Sequence, residues 1–153
     1  MDRNFIITQY DQKLESRLFA FLEKCLPESG RALDLNGRHS FYKDIPDHFD
    51  VFLCMTDGEM IIGTIAVRPM NDKDCELKSL YLLEKYHGMG LGRKLLEIAV
   101  RYAADSGYER MYLDSLSTSK RALKLYRTAG FRDTEKYNDS IFSDVFMVLE
   151  LRR

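Results

Sequence analysis

Three glycines at alternate positions stand in the stretch Tyr86-His87-Gly88-Met89-Gly90-Leu91-Gly92-Arg93. Before it lies an apolar run, Leu77 to Leu83, and after it a strongly periodic segment, Leu91 to Ala104. This order predicts a strand, a tight glycine loop and a helix. Such a loop lets the backbone curl until successive N–H groups point at one spot. That spot sits at the positive end of the helix and suits a phosphate or pyrophosphate. One glycine is enough for a strand-to-helix turn, so three imply close approach of a ligand to the backbone.

Two phosphate loops can be tested on the residues. A P-loop needs Gly-Lys followed by Ser or Thr, and none is present. A dinucleotide loop needs Gly-x-Gly-x-x-Gly. Counted from Gly88 its last glycine falls on Arg93, and counted from Gly90 it falls on Leu95. Asp114, at the end of the next expected strand, stands near where a ribose-binding acid would lie. That fold also needs a parallel sheet starting near the N-terminus, whereas here a hairpin precedes the loop.

The bulk numbers narrow the field further. A chain of 153 residues is expected to form a single domain, residues 1–153, with a sizeable core. Net charge is −1 with the signs mixed along the chain, which argues against a nucleic-acid footprint and leaves a small molecule or a protein as partner. Apolar runs are only a few residues long, so no membrane span is expected. The first residues, Met1-Asp2-Arg3-Asn4, lack the basic start and apolar stretch of a signal peptide. Cys25, Cys54 and Cys75 are odd in number and widely spaced. With His39, His48 and His87 off metal-ligand spacing, the expectation is reduced thiols, no metal and a cytoplasmic location.

Along the chain, Phe5-Ile6-Ile7 reads as a first strand. Asp11 to Cys25 reads as a helix with Leu14, Leu18, Phe21, Leu22 and Cys25 on one face. Ala32 to Phe49 is irregular, a short helix and a loop. Val51–Met55 and Met60–Val67 flank Thr56-Asp57-Gly58-Glu59, a strong hairpin signal. Glu76 to Leu83 is a fourth strand. The helix after the glycine loop carries Leu91, Leu95, Ile98 and Tyr102 on one side. Met111-Tyr112-Leu113 forms a fifth strand, and Ala122, Leu125, Tyr126 and Ala129 mark another helix, ended by Gly130. A sixth strand starts at Phe131, and Asp144 to Leu151 supplies a seventh.

The residues Glu76-Leu77-Lys78-Ser79-Leu80-Tyr81-Leu82, the glycine loop, and Ala122-x-x-x-Tyr126-x-x-x-Gly130-Phe131 together resemble the GNAT superfamily of acyl-CoA-dependent N-acetyltransferases. The family signature, Arg or Gln followed after two residues by Gly-x-Gly or Gly-x-Ala, maps onto His87, Gly90 and Gly92. The strong part of the resemblance covers Glu76 to Phe131. Three positions depart from it: His87 for the usual Arg or Gln, Glu84 for a frequent proline, and Ser119 for an asparagine that faces the cofactor in several members.

The resemblance implies an α/β fold. It consists of a mixed, mostly antiparallel twisted sheet of about seven strands, splayed between strands four and five and flanked by about four helices. It implies acetyl-CoA as cosubstrate, with its pantetheine arm along the backbone near Tyr81 and Leu82. The pyrophosphate would lie on the amides of His87, Gly88, Met89, Gly90, Leu91, Gly92 and Arg93, with Ser119 facing the cofactor. A Leu82 N–H there would hold the thioester oxygen. Tyr126 is expected to protonate the departing thiolate. Glu76 is expected to take the amine proton, with Asp114 or water as rivals. Arg93, Lys94, Lys120, Lys124 and Arg127 cluster near the two helix starts. Asp44, Asp47 and Asp50 fall in the loop that overhangs the acceptor in this family, which hints at a cationic acceptor.

The implied activity is direct transfer of acetyl to a primary amine through a tetrahedral intermediate. A CoA-binding sensor or partner-binding module that has lost catalysis is the alternative, given His87 and Ser119. Small-molecule amines and protein amino groups both fit as acceptor. An unpaired strand near the C-terminus offers a surface for a homodimer.

Overall fold

Alternating and continuous apolar runs assemble into one twisted sheet, and helices cover the strands that are apolar on both sides. The computed structural model of the chain describes residues 5–151. In chain order its elements are β1 (Ile6–Gln9), α1 (Glu15–Glu28), α2 (Ile45–His48), β2 (Val51–Asp57), β3 (Met60–Pro69), β4 (Asp74–Leu82), α3 (Leu91–Asp105), β5 (Arg110–Ser115), α4 (Lys120–Ala129), β6 (Arg132–Asp133) and β7 (Val145–Glu150). Three short 3₁₀ turns, Gln12–Leu14, Ser40–Lys43 and Glu84–Tyr86, complete the described residues.

The strands form a seven-stranded sheet in the order β1-β2-β3-β4-β5-β7-β6. All neighbours are antiparallel except β4 and β5. The mixed sheet and the four α-helices therefore match the expected class. Each successive residue of β3 from Ile61 to Val67 is buried, so both faces of the sheet are covered there. Helices α1 and α3 both pack on β3. Helix α1 buries Leu18, Phe21, Leu22, Cys25 and Leu26, the face that the spacing predicts.

Two helix faces differ from expectation. Helix α3 buries Leu91, Leu95, Leu96, Ala99 and Ala103, leaving Ile98 and Tyr102 half-buried at the margin. Small alanines let the helix lie close to the sheet, a reason that apolar periodicity alone does not weigh. Helix α4 buries Leu123 and Tyr126, whereas Ala129 is exposed. Strand boundaries move by a residue or two: β1 starts at Ile6, β4 starts earlier at Asp74, and the sixth strand shrinks to Arg132-Asp133.

Pairing between β4 and β5 is brief. Asp74, Cys75 and Glu76 stand opposite Arg110, Met111 and Tyr112, and the two strands then part. Strand β4 continues to Leu82 without a β5 neighbour, which is the expected splay. A β-bulge lies just beyond the branch. Thr64 pairs with Tyr81 and Ala66 with Lys78, so Ser79 and Leu80 together face Ile65. Ser79 has φ of 56°, a left-handed conformation that costs a non-glycine residue.

Two side-chain hydrogen bonds hold the bulge. The hydroxyl of Thr64, fully buried, donates to the Ser79 carbonyl at 2.6 Å. Tyr42 Oη and Ser79 Oγ are 2.7 Å apart. Replacing Thr64 by the isosteric valine should strip the Ser79 carbonyl of its buried donor and lower stability by about 1–3 kcal/mol. Urea unfolding of Thr64→Val measures this, and an unchanged midpoint would show that the bulge does not depend on that bond.

Candidate active site

The parted strands open a cavity of about 1200 Å³ that runs from the glycine loop to the segment after α1. Its walls come from β4 (Leu77 to Leu82), the tip of β5 (Leu113 to Ser115), the starts of α3 and α4, and the loops around Arg38 and Phe142. Leu82 shows why the wall is reactive. The Leu83 N–H donates to Ile62 O at 2.9 Å, so Leu82 and Gly63 form the kind of antiparallel pair whose N–H and C=O groups turn away from each other. The Leu82 groups therefore face the parted edge. Its carbonyl accepts a hydrogen bond from His87 Nε2 at 2.9 Å. Its N–H lies at the Cys25 thiol, a weak acceptor. Burial pushes that thiol up to about 12, so Cys25 stays neutral.

The glycine loop meets the cavity at the start of α3. Gly90 is the N-cap with φ of 76°, and Gly88 has φ of 83°. A Cβ added at either would meet no protein atom within 4 Å, so both faces are open. No side chain caps α3, and its first intrahelical donor is Lys94 N–H to Gly90 O at 3.1 Å. The N–H groups of Leu91, Gly92 and Arg93 are the orphan donors of a helix start, gathered at its positive end. Helix α4 likewise begins without a side-chain cap at Ser119, which lines the same cavity beside Lys120, Arg121 and Lys124. Gly92 faces α4, its added Cβ lying 3.6 Å from Leu125.

Most of the expected site residues meet here. Tyr81, Leu82, His87, Gly88, Gly90, Leu91, Gly92, Arg93, Ser119 and Tyr126 line the cavity. Met89 does not, and its side chain is exposed. The Arg93 side chain pairs with Glu97 at 3.0 Å on the helix surface. Tyr126 is buried and sits edge-on to Phe131. Burial, followed by the neighbouring Tyr81, raises its pKa above the usual tyrosine value, so the phenol carries its proton throughout the neutral range.

The carboxylates are placed differently from expectation. Glu76 is neither at the start of its strand nor at the mouth: it is the third residue of β4, buried and outside the cavity lining. Tyr137 Oη donates to it at 2.5 Å and Asn138 Nδ2 at 3.3 Å, and Arg68 and Lys78 lie 3.7 and 3.6 Å away. Asp114 does line the cavity. Burial works to raise its pKa, but Lys78 at 3.6 Å and the donors Ser143 (2.6 Å) and Asn138 (2.7 Å) outweigh it and hold the carboxyl below its usual value. Asp44, Asp47 and Asp50 do not line the cavity. Asp50 instead accepts a short hydrogen bond from Tyr108 Oη. Residues that the sequence left unmarked do line it: Arg31, Arg38, His39, Phe41, Tyr42, Ser79 and Phe142. Ser79 stands at the β4 bulge, and the others lie in loops or a short 3₁₀ turn with no periodicity, so no local signal singles them out.

The family model of the GNAT acetyltransferases matches residues 15–131. This chain belongs to that family. It is 33% identical over 110 residues to an uncharacterized N-acetyltransferase of Schizosaccharomyces pombe, a match covering 71% of this chain and 68% of that protein. It is 32% identical over 114 residues to a mycothiol acetyltransferase of Jonesia denitrificans, covering 72% of this chain but only 36% of that protein. A GNAT-family acetyltransferase of Staphylococcus aureus superposes with a TM-score of 0.88 at 16% identity, over 97% of this chain and 100% of the other. A putative acetyltransferase of Salmonella typhimurium, solved with its cofactor acetyl-CoA, has a TM-score of 0.76 at 19% identity, over 98% and 95% of the two chains. Among the described residues no helix is long and apolar enough to cross a membrane.

The loop geometry separates two effects of substitution. At φ of 76° a β-branched side chain is strained, so Gly90→Val lowers stability as well as blocking the loop. Asparagine tolerates this conformation, so Gly90→Asn should keep the fold while its side chain crowds the open face and weakens acetyl-CoA binding. Calorimetry reads the affinity. A folded Gly90→Asn protein with undiminished affinity would remove the loop from the cofactor site. His87→Ala should change affinity only modestly, because the imidazole is spent on Leu82 O.

Proposed function

We propose that this chain is an N-acetyltransferase that moves the acetyl group of acetyl-CoA directly to a primary amine. The observation that carries the reading is the meeting of three groups in one cavity. These are the outward-facing amide of Leu82, the uncapped start of α3 at Gly90–Arg93, and the buried phenol of Tyr126. The likeness to a neighbour that holds acetyl-CoA supports the same cosubstrate.

The residues fit acetyl-CoA for separate physical reasons. Peptide-like pantetheine can use the β4 edge that β5 leaves unpaired. The pyrophosphate suits the open amides from His87 to Arg93, with Met89 contributing backbone only. Ser119 at the uncapped start of α4 offers a hydroxyl to the same ligand.

In the reaction the amine lone pair attacks the thioester carbonyl carbon. As that carbon becomes tetrahedral, negative charge grows on its oxygen. The Leu82 N–H offers a preorganised donor there, since a carbonyl oxygen outcompetes the Cys25 sulfur as acceptor. The C–S bond then breaks and the thiolate takes the proton of Tyr126. An amine that enters as an ammonium loses two protons, one before it attacks and one from nitrogen in the tetrahedral intermediate. The base expected at Glu76 is withdrawn into its own hydrogen bonds, so we assign both to water in the cavity, and one of them is the net proton released. Asp114 lines the wall but is tied to Lys78, Ser143 and Asn138, so it is assigned neither proton. Tyr126 is recharged from solvent.

A sensor that binds CoA without turnover is the competing reading, and its support is the withdrawal of Glu76, the expected base, into its own hydrogen bonds. Free-CoA release over a panel of amines separates the two. Tyr126→Phe keeps the ring contact with Phe131 but removes the proton, and turnover should fall about 100-fold or more. Melting temperature and acetyl-CoA affinity should barely move. Near-normal turnover of Tyr126→Phe on an accepted amine would return this residue to a packing role. Because burial raises the Tyr126 pKa, activity should rise with pH as the acceptor deprotonates, with no loss from tyrosine ionisation below about pH 10.

A further inference from the structure

We infer that the acceptor is a small amine bearing an anionic group, and that Arg31 and Arg38 hold that group in the cavity. The inference rests on the transferase reading above and narrows its acceptor.

Arg31 is fixed in place by the chain around it. It follows Gly30 at the end of α1, and its amide donates to Leu26 O at 2.9 Å. Its side chain is half-buried and lines the cavity, and its charge acts on Tyr126, Tyr42 and His39. The guanidinium is therefore within electrostatic reach of the phenol proposed to act at the thioester. Arg38 stacks its guanidinium over the Phe142 ring at 3.8 Å. This contact joins the segment after α1 to the loop before β7, and both residues line the cavity. Stacking on a ring face leaves the in-plane N–H groups of an arginine pointing outward for an acceptor such as a carboxylate.

Neither arginine has a carboxylate within ion-pair distance among the described residues. Of the three acids of the wall, Glu84 is exposed to solvent and the other two are already engaged. Glu28 accepts the Glu84 amide at 2.8 Å, and Asp114 is held by Lys78, Ser143 and Asn138. Buried His39 adds a third donor. Its Nδ1 accepts the Asp34 N–H at 3.0 Å, which places the ring proton on Nε2 in the neutral tautomer. Arginines that line a cavity without a carboxylate in ion-pair range, Arg31 half-buried and Arg38 exposed but held on Phe142, favour an anion in that space and disfavour a polyamine there. The aspartates that hinted at a cationic acceptor, Asp44, Asp47 and Asp50, lie outside this lining.

The test is free-CoA release with matched acceptors: amino acids, their carboxamides, the corresponding decarboxylated amines, aminoalkylphosphonates and a polyamine. Carboxylated or phosphonated amines should exceed their uncharged partners by about tenfold or more in kcat/KM, the weight of a charged hydrogen bond. The better of the two anionic arms identifies the group. Arg31→Gln and Arg38→Gln should each collapse that preference, raising KM for the anionic acceptor more than KM for acetyl-CoA. Arg31→Lys should restore part of it. Turnover without preference for the anionic partner, or a preference for the polyamine, overturns the inference alone. So does a loss confined to acetyl-CoA binding, which would place the arginines on the cofactor. A panel in which no amine is acetylated removes the transferase reading and this inference with it.

Discussion

The parting of β4 from β5 is the constraint on which the rest of the molecule depends. Three residue pairs hold the two strands in parallel, and beyond Glu76 and Tyr112 each edge must find other partners. Strand β5 turns its other edge to β7 along its whole length. Strand β4 keeps its β3 pairing but carries a bulge at Ser79, whose left-handed backbone is pinned by Thr64 and Tyr42. What remains is a strand edge inside the protein with peptide groups facing a cavity. Buried peptide groups are costly without partners, so the open edge is a standing invitation to an extended, amide-bearing ligand.

A polar pin closes the base of this opening. Lys78 on β4 lies 3.6 Å from both Glu76 on its own strand and Asp114 on β5. Asn138 donates to both carboxylates from the loop before β7, and Tyr137 adds a bond to Glu76 while stacking near Tyr112. The two acids are thus neutralised and tied where the strands separate. Removing one member would leave a buried charge unbalanced, which is why such networks fix geometry more than they add stability. The same ties take Glu76 away from the cavity, whose lining includes Arg31, Arg38 and His39.

Positive charge reaches the cavity wall in two forms. One is partial and belongs to the backbone, through the uncapped starts of α3 and α4. The other is formal and includes two arginines without carboxylate partners among the described residues, on a wall that also carries Glu28 and Glu84. The first kind accepts any phosphate that the open glycines admit. The second depends on side chains in irregular segments, where acceptor choice is most easily altered.

Local sequence determined the parts of this protein that obey local rules. The glycine loop at Gly88, Gly90 and Gly92, the face of α1, the first half of the α3 face (Leu91 and Leu95), the Asp57-Gly58 hairpin and Tyr126 on α4 all announce themselves through spacing, because helix period, strand alternation and positive φ are properties of neighbouring residues. Only the tertiary structure decided that Glu76 faces Tyr137 and not the cavity, and that Asp50 answers Tyr108. It alone set Tyr42 against Ser79 and brought Arg38 to Phe142. These pairs lie tens of residues apart, and a carboxylate or guanidinium reads the same in sequence whatever it meets. The tertiary fold brings such partners together, and that is why the Glu76–Tyr137 and Arg38–Phe142 contacts could not be read locally.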